Sequence, residues 1–270
     1  MIALHAGDAA VARYREGLDV APRLSPRPYL EAVTLGGEAV TAVGPADHLH
    51  HLGVSLAIPD VSRASFWGGR TFVAGRGSTM LDNHGVQRVL ARDADGDGVE
   101  EELAWTGPDG AVLLSERRAL RIAPDRDGWR MSWRSTLTAD AGGAEFGSPH
   151  TNGRDGAFYG GIFWRTPFAR ALAVCAEGEG TEIAHGSRSP WLAIVGERAT
   201  VVAATDSGLP WFVRTGGYVG FGPAVATVRR RVLAPSETLE LDLSAVVLDG
   251  PVAADDAARI AERIRTEVRA

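Results

Sequence analysis

The chain contains no lysine and only one cysteine, Cys175, among its 270 residues. A single cysteine excludes an intramolecular disulfide, and its place in the apolar run 171–176 indicates a buried, unreactive thiol. All 28 basic residues are arginine. Together with the abundance of Ala, Gly and Asp, this indicates GC-rich codon usage and says little about function.

Long apolar segments and a basic surface are also missing. No run approaches the roughly 20 apolar residues that cross a bilayer, and the first five residues lack the basic start and apolar stretch of a secretory signal. We therefore expect a soluble, cytoplasmic protein with no membrane partner. The formal net charge of −6 and the pI near 5.7 also argue against nucleic acid as a partner.

Three catalytic signatures are absent from the chain. It has no Gly-x-Ser-x-Gly nucleophile motif, no phosphate-binding Gly-x-x-x-x-Gly-Lys loop and no dinucleotide fingerprint after a strand. Acyl transfer, nucleotide hydrolysis and nicotinamide chemistry are therefore disfavoured. The sequence requires no cofactor, although a divalent metal is an alternative considered below.

Short apolar segments of about four to eight residues, broken by Gly, Pro, Asp and Asn, run from residue 1 to about 250. This pattern predicts an all-β fold, and so many strands predict a large antiparallel β-sandwich of the supersandwich type. The expected strands include 11–15, 29–33, 86–92, 101–105, 111–122, 129–137, 191–195, 199–204, 211–214 and 239–248.

Only the C-terminal segment changes period. Residues 253–268 are expected to form an α-helix packed on the sheet edge, with acidic residues in its first turn and arginines late. No shift in composition marks a linker, so we expect one domain spanning residues 1–270. The apolar face of the expected helix consists of Ala257, Ile260, Ala261, Ile264 and Val268.

Three of the seven histidines lie within four positions, in Asp47-His48-Leu49-His50-His51. On a strand His48 and His50 would point away from His51, whereas on a loop all three could converge. Imidazoles titrate near neutral pH, so we interpret them as acid–base and hydroxyl-binding groups. Zinc or another transition metal is the alternative, and structural hydrogen bonding a third interpretation.

Two further residues are candidate partners of these histidines. His84 stands at the start of an expected strand and would join them if the strands bring it beside His50. Glu116, inside a mostly apolar strand before two arginines, is a candidate second acid–base group; a structural salt bridge is the alternative. Residues 93–98 resemble half of a calcium loop, but Ala104 replaces the required glutamate, which favours an acidic hairpin tip.

Residues 147–165 combine a polar, glycine-rich loop with an aromatic strand. Glycine there would let backbone approach a ligand, or would bend the sheet. Trp67, Trp164 and Trp211 offer flat faces on which sugar rings stack, with core packing as the alternative. Arg165 and Arg214, each close after an aromatic residue, are candidates for binding a carboxylate or hydroxyl groups, with a surface salt bridge as the alternative.

Five motifs carry a family resemblance. They are Arg27-Pro28-Tyr29-Leu30, Asp47-His48-x-His50-His51-x-Gly53, Phe66-Trp67-Gly68, Tyr159-Gly160-Gly161-Ile162-Phe163-Trp164-Arg165 and Pro210-Trp211-Phe212-Val213-Arg214. In this order they resemble a soluble bacterial family labelled "methane oxygenase PmoA", otherwise a domain of unknown function, over about residues 14–250. The resemblance implies a sandwich similar in outline to galactose-mutarotase-like proteins, which use histidines and a carboxylate in an open cleft. Members tend to be encoded near sugar dehydrogenases and carbohydrate transporters.

These observations lead to one preferred hypothesis and two alternatives. The preferred hypothesis is a carbohydrate-active enzyme that uses His/Glu acid–base chemistry on a sugar or 3-keto-glycoside, as a lyase, glycosidase or epimerase. The alternatives are a non-catalytic carbohydrate-binding module and a metal-dependent enzyme with ligands among His48, His50, His51 and His84. The expected catalytic residues are His48, His50, His51, His84 and Glu116, and the expected substrate-binding residues are Asp47, Trp67, His150, Tyr159, Arg165, Trp211 and Arg214.

Overall fold

The structure, a computed structural model, describes residues 1–268, with side chains through Thr266. The α-helices are α1 Thr181–Ala184 and α2 Ala254–Val268, and Pro22–Leu24 forms a 3-10 turn. In chain order the strands are β1 Ile2–Ala6, β2 Ala9–Arg15, β3 Tyr29–Ala32, β4 Val54–Ala57, β5 Asp60–Val61, β6 Thr71–Val73, β7 Gly77–Thr79, β8 Val86–Ala94, β9 Gly98–Thr106, β10 Val112–Pro124, β11 Trp129–Ala139, β12 Ala144–Gly147, β13 Gly161–Arg165, β14 Leu172–Cys175, β15 Gly178–Glu179, β16 Trp191–Val195, β17 Ala199–Ala204, β18 Trp211–Arg214, β19 Gly220–Pro223, β20 Arg231–Leu233 and β21 Thr238–Asp249.

Two large antiparallel sheets form the body of the fold. The seven-stranded sheet has the order β1-β2-β3-β4-β13-β19-β18, and the nine-stranded sheet has the order β15-β14-β16-β17-β21-β11-β10-β9-β8. A three-stranded sheet, β20-β12-β5, and the hairpin β6-β7 complete the fold. The prediction of a large antiparallel β-sandwich with a C-terminal helix is therefore confirmed.

Alternating burial in the long strands shows where the core lies. In β11 the side chains of Trp129, Met131, Trp133 and Leu137 are buried, while Arg130 between them is exposed. This two-residue period is the pattern of a strand with one face on the core. The apolar core therefore fills the space between the two large sheets, and the largest side chains buried in it include Trp105, Trp129, Trp133, Trp164 and Trp211.

The acidic segment 93–98 forms the tip of the β8–β9 hairpin. The Asp95 carboxylate accepts hydrogen bonds from the backbone N–H groups of Asp97 and Gly98, and pairs with Arg121. The aspartate oxygens therefore stabilise the turn, as the hairpin interpretation expects.

Helix α2 packs on the outer face of the nine-stranded sheet. Ala257, Ile260, Ala261 and Ile264 lie against β14, β16, β17 and β21. The expected position at the sheet edge was therefore wrong: those strands carry apolar residues on both faces, and the helix covers the second face. Residues 269 and 270 of the expected domain, and the side chain of Val268, lie outside the described residues. Neither helix formed by residues 1–268 has the length and apolar character that crossing a membrane requires.

Candidate functional site

The outer face of the seven-stranded sheet carries a second, smaller aromatic cluster. In β13, Ile162 and Trp164 belong to the core between the sheets, so Phe163 and Arg165 project from the opposite face. Phe212 of β18 joins Phe163 on that outer face, packed with Trp67. Two neighbouring regions of the sheet thus present rings and arginines on one surface.

Trp211 does not lie on this surface. It is fully buried in the main core, and its indole N–H donates to the Ser189 carbonyl. The predicted substrate-binding role of Trp211 is therefore not supported, and Trp164 faces the core in the same way, donating to the Val40 carbonyl. Phe163 and Phe212, one residue away along their strands, occupy the outer face instead.

The three clustered histidines lie on a tight turn that covers this outer face. The His48 N–H donates to the Pro45 carbonyl, the His51 N–H donates to the His48 carbonyl, and the Gly44 N–H donates to the His51 carbonyl. The rings of His48 and His51 stack with centroids 4.5 Å apart, and His50 meets His51 edge to face at 4.7 Å. The turn therefore brings together three side chains that a strand would have separated.

Aromatic rings surround the histidines on two sides. The His51 ring lies 5.6 Å from Trp67, 5.1 Å from Phe163 and 5.2 Å from Tyr218, measured between centroids. Tyr159 continues this wall, with its ring 4.5 Å from Trp67. Such edge and tilted contacts are the favourable geometries for aromatic side chains, so the cluster is a packed surface of rings.

A buried arginine holds the loops of the cluster together. Arg27 is 1% exposed, and its guanidinium donates to the carbonyls of Ser25, His50 and Trp67 and to the Ser55 hydroxyl. The rigid fork of donors in a guanidinium suits this linking of several acceptors. Arg27 therefore fixes the backbone next to His50 and Trp67 in one arrangement.

Asp47 and His48 form a hydrogen-bonded pair at the edge of the cluster. The distance from His48 Nδ1 to Asp47 Oδ2 is 2.9 Å, and about a third or more of each side chain is exposed. Arg165 Nη2 donates to the same carboxylate oxygen over 3.2 Å. The hydrogen bond from His48, together with the charge of Arg165, holds the pKa of the Asp47 carboxyl below its usual value. The carboxylate is therefore charged and oriented toward His48.

His50 and His51 have a different electrostatic environment. Burial, assisted by the positive charge of Arg27, lowers the pKa of His50 to about 3. Burial also lowers the pKa of His51, and neighbouring His50 and His48 add to the effect. Both rings are therefore neutral at pH 7. His51 is 2% exposed, and its Nδ1 atom has no hydrogen-bond partner.

His84 joins the cluster through Gly69. Its Nε2 lies 2.7 Å from the Gly69 carbonyl oxygen, which accepts the hydrogen bond. A methyl group on Gly69 would lie only 2.8 Å from His50 Nδ1, and Gly69 has a φ of +71°, so glycine is required at this contact. Gly69 therefore lies next to both His84 and His50.

Tyr218 lies between two arginines on the same surface. The guanidinium carbons of Arg165 and Arg214 stand 4.5 and 4.7 Å from the Tyr218 ring centroid. Both arginines pair in register with Gly220 of β19, one from each neighbouring strand. A methyl group on Gly220 would lie 3.1 Å from the Tyr218 ring and 2.8 Å from that of Phe163, so glycine leaves room for both.

Glu116 lies away from the histidines, on the other side of the seven-stranded sheet. It is 2% exposed between the sheets, where its carboxylate accepts hydrogen bonds from Arg118, the Trp105 indole and the Ser135 hydroxyl. Its hydrogen-bonding capacity is taken by these core partners. The expectation that Glu116 supplies the carboxylate beside the histidines is therefore not supported, and Asp47 is the carboxylate that the fold places there.

His150 lies in the loop that precedes β13. Its Nδ1 accepts the Gly156 N–H over 2.9 Å, and among residues 1–268 no described contact joins it to the histidine turn. A histidine that sequence reasoning missed, His185, stacks on Phe158 at 4.4 Å and meets Phe212 at 5.5 Å. Its only sequence signal is a position in a turn after the short segment 181–184, so the sequence alone did not connect it with the site.

The residues that might have bound a metal do not converge. His48 and His51 stack face to face, His48 Nδ1 is bonded to Asp47, and His84 Nε2 is bonded to a backbone carbonyl. Within the described part of the chain, no group of three or more His, Cys, Asp or Glu side chains is arranged to hold a metal ion. The geometry therefore does not fit the metal-site alternative.

A separate cavity of about 900 Å³ lies elsewhere on the surface. Its lining includes Phe168, Leu172, Glu38, Arg170 and Arg198, and contains no histidine. Two of its charged groups, Glu38 and Arg198, pair with each other across 2.8 Å. We therefore place the candidate site at the histidine and aromatic cluster, where titratable groups and rings meet.

Comparison with known proteins adds three findings. No curated protein matches the chain. Among solved structures, galactose 1-epimerase from Lactobacillus acidophilus NCFM is similar with a TM-score of 0.41 and 10% identity, covering 83% of this chain and 91% of that one. The family model that matches residues 1–262 has no assigned function, so the label "methane oxygenase PmoA" is not supported. The chain belongs to this family, the family of unknown function DUF6807.

Proposed function

We propose that the chain is a carbohydrate-active enzyme that moves protons on a sugar or 3-keto-glycoside, with the Asp47–His48 pair as its base. The observation that carries this proposal is the 2.9 Å contact between Asp47 and His48 beside a wall of aromatic rings. A general base needs a free nitrogen, a partner that stabilises its protonated form, and a surface that holds the substrate. All three are close together here.

His48 acts as the base in this proposal. When Nδ1–H donates a hydrogen bond to the Asp47 carboxylate, the lone pair of Nε2 is left free to accept a proton from the substrate. The Asp47 carboxylate then stabilises the imidazolium that forms, and Arg165 holds that carboxylate in place. The partial exposure of His48 leaves its ring accessible to a bound ligand.

His50 and His84 contribute neutral hydrogen-bonding groups. Because burial keeps His50 uncharged, it can orient a sugar hydroxyl or keto oxygen without repelling the imidazolium formed at His48. His84 uses Nε2–H for the Gly69 carbonyl, which leaves Nδ1 as an acceptor. Lyase, glycosidase and epimerase reactions share proton removal and proton return, and these groups are suited to that shared step.

The aromatic wall provides the binding surface. Tyr159 and Tyr218 are half-buried, the first beside Trp67 and the second beside His48 and His51, so their exposed parts can pack against the C–H face of a sugar ring. The nearby guanidinium groups of Arg165 and Arg214 add donors for hydroxyl or carboxylate oxygens. This combination of flat apolar surface and fixed donors is the expected composition of a carbohydrate site.

A non-catalytic carbohydrate-binding module is the second candidate, and the position of Glu116 favours it. Because that carboxylate is sequestered in the core, the site lacks the second acid first expected from the sequence. A binding module needs only the aromatic wall. The placement of His84 and His50 next to the same Gly69, and the Asp47–His48 pair, have no function in a binding module, and we therefore prefer the enzyme.

The test is a screen for turnover followed by a single substitution. Purified protein is assayed with glycosides and their 3-keto derivatives, with and without divalent metals. On any substrate found, His48→Gln should lower kcat/KM by about 10²–10⁴-fold, because a general base contributes about that much. His5→Gln, on β1, is the matched control and should not change the rate. Unchanged turnover in His48→Gln would remove the base assignment, and sugar binding without any turnover would favour the module.

A further inference from the structure

We infer that the substrate carries a carboxylate, as a uronic acid does, and that Arg165 and Arg214 bind this group beside Tyr218. This inference rests on the proposed function, since it names the substrate class of the same site. It comes from three observations: the register of the two arginines, the hydrogen-bonding capacity that they leave unused, and the charge around them.

The strands place the two arginines side by side. Arg165 of β13 and Arg214 of β18 both pair with Gly220 on the strand between them, and both lie over the Tyr218 ring. Neighbouring strands are about 4.8 Å apart, so their Cα atoms are separated by roughly 10 Å. The two long side chains therefore both reach the Tyr218 ring, one from each neighbouring strand.

Both guanidinium groups retain unused donors. Arg165 is 7% exposed, yet its Nε has no hydrogen-bond partner. Arg214 is exposed and donates Nε to the Gly216 carbonyl, and no carboxylate in the described part of the chain forms an ion pair with it. A buried donor without a partner is costly, and the exposed N–H groups of Arg214 beside it are open to an incoming acceptor.

The charges of Asp47, Arg165 and Arg214 favour a ligand group with one negative charge. Asp47 neutralises one of the two arginines through its 3.2 Å contact with Arg165, which leaves one positive charge beside Tyr218. A carboxylate has one negative charge and a planar shape that matches a guanidinium, whereas a phosphate monoester brings about two charges.

The experiment compares ligands that differ only in this group. Isothermal titration calorimetry at low salt would measure glucuronate and galacturonate, their methyl esters, the neutral hexoses and glucose 6-phosphate. At least one uronate should bind about tenfold or more tightly than its methyl ester and its neutral hexose, because a charge-assisted hydrogen bond supplies that difference. The preference should shrink as salt is added.

Arg214→Met should abolish the preference for the uronate over its ester. Arg170→Met, which removes an exposed arginine away from the site, is the matched control and should retain the preference. Equal affinities for acid and ester, the absence of uronate binding, or tightest binding of glucose 6-phosphate would each overturn the proposal; the last result would identify a phosphate site instead.

The result separates this inference from the proposed function. A uronate that binds wild type and His48→Gln alike, and is never turned over, would support the carboxylate site and contradict the enzyme. Turnover of neutral glycosides that depends on His48, with no preference for the acid, would support the enzyme and contradict the carboxylate site.

Discussion

Two clusters of titratable side chains lie on opposite sides of the seven-stranded sheet, and they differ in how their hydrogen bonds are used. Between the sheets, Glu116 and Glu101 both pair with Arg118. The Glu116 carboxylate also accepts from the Trp105 indole and the Ser135 hydroxyl, and the Glu101 carboxylate accepts from the Tyr14 hydroxyl. On the outer face, His51 Nδ1 is buried without a partner, and the Asp47–His48 pair is open to solvent.

This difference separates structural from functional polar groups. A buried ion pair is tolerated in a core when every donor and acceptor is satisfied, and it then has nothing left to offer a ligand. Unused donors and acceptors beside rings are costly to the fold and available to a ligand. Burial and titratable character alone would have selected Glu116, whereas an unpaired buried atom selects His51 and exposure beside the rings selects the Asp47–His48 pair.

The largest predicted effect on the free energy of unfolding comes from a substitution in the interior cluster. Glu116→Gln would leave Arg118 buried with less negative charge beside it, and removing one partner of a buried ion pair costs about 3–5 kcal/mol. Urea unfolding at pH 7 measures this loss. Glu102→Gln, an exposed carboxylate on β9 that faces Arg117, is the control and should change the free energy of unfolding by less than about 1 kcal/mol. Equal losses in the two variants would contradict the structural role of Glu116.

A second prediction concerns acid. An imidazole in the unfolded chain has a pKa of about 6.5, but burial lowers the pKa of His50 to about 3 and also lowers that of His51. Below pH 6.5 the unfolded chain takes up protons that the folded chain does not. The two neutral histidines therefore contribute fully to the free energy of unfolding at pH 7, and this contribution falls as the pH drops toward 3. Between pH 7 and pH 5 the loss is up to about 2 kcal/mol per histidine.

Urea unfolding at pH 7 and pH 5 tests this sign. The difference between the two pH values should shrink in His50→Gln, because glutamine does not titrate, and should persist in His5→Gln. A wild-type protein that is as stable at pH 5 as at pH 7 would show that the histidine turn opens to solvent.

The smallest predicted effect on stability concerns the outer carboxylate. Asp47→Asn removes a pair that is partly exposed, and such pairs contribute about 0–1 kcal/mol. Turnover should nevertheless fall by about tenfold or more, since the imidazolium at His48 loses its stabilising charge. Parallel measurement of unfolding and kcat/KM tests the contrast. A large loss of stability with unchanged kcat/KM would place Asp47 with the structural groups.

Much of the fold was predictable because strand periodicity is a local property. The expected segments 191–195 and 199–204 coincide with β16 and β17, and 129–137 lies within β11, where large apolar residues alternate with polar ones. The face on which α2 packs was not predictable, because strands buried on both sides do not indicate which face meets a helix.

The interior position of Glu116 is indicated by the apolar periodicity of its strand. Leu114, Glu116, Arg118, Leu120 and Ile122 share one parity along β10, so the apolar members already place the glutamate and arginine on the core face. Periodicity would thus have assigned Glu116 to the core before the structure did.

The rings of the outer face were harder to assign. Every residue of β13 is buried, so alternation separates Phe163 from Trp164 without saying which faces the core. Tyr218 lies beside Arg165 only because β13 pairs with β19 at Gly220, a long-range pairing that a single sequence does not reveal. The convergence of His48, His50 and His51 likewise depends on a turn held by Arg27 from an earlier segment.

The most direct test of the account compares the two clusters in one assay. kcat/KM of wild type, His48→Gln and Glu116→Gln would be measured on the same glycoside, at a temperature at which circular dichroism shows all three to be folded. Our account predicts a loss of about 10²–10⁴-fold in His48→Gln and nearly wild-type activity in Glu116→Gln. Full activity in His48→Gln, with a large loss in Glu116→Gln, would contradict it and move the reaction to the interior cluster.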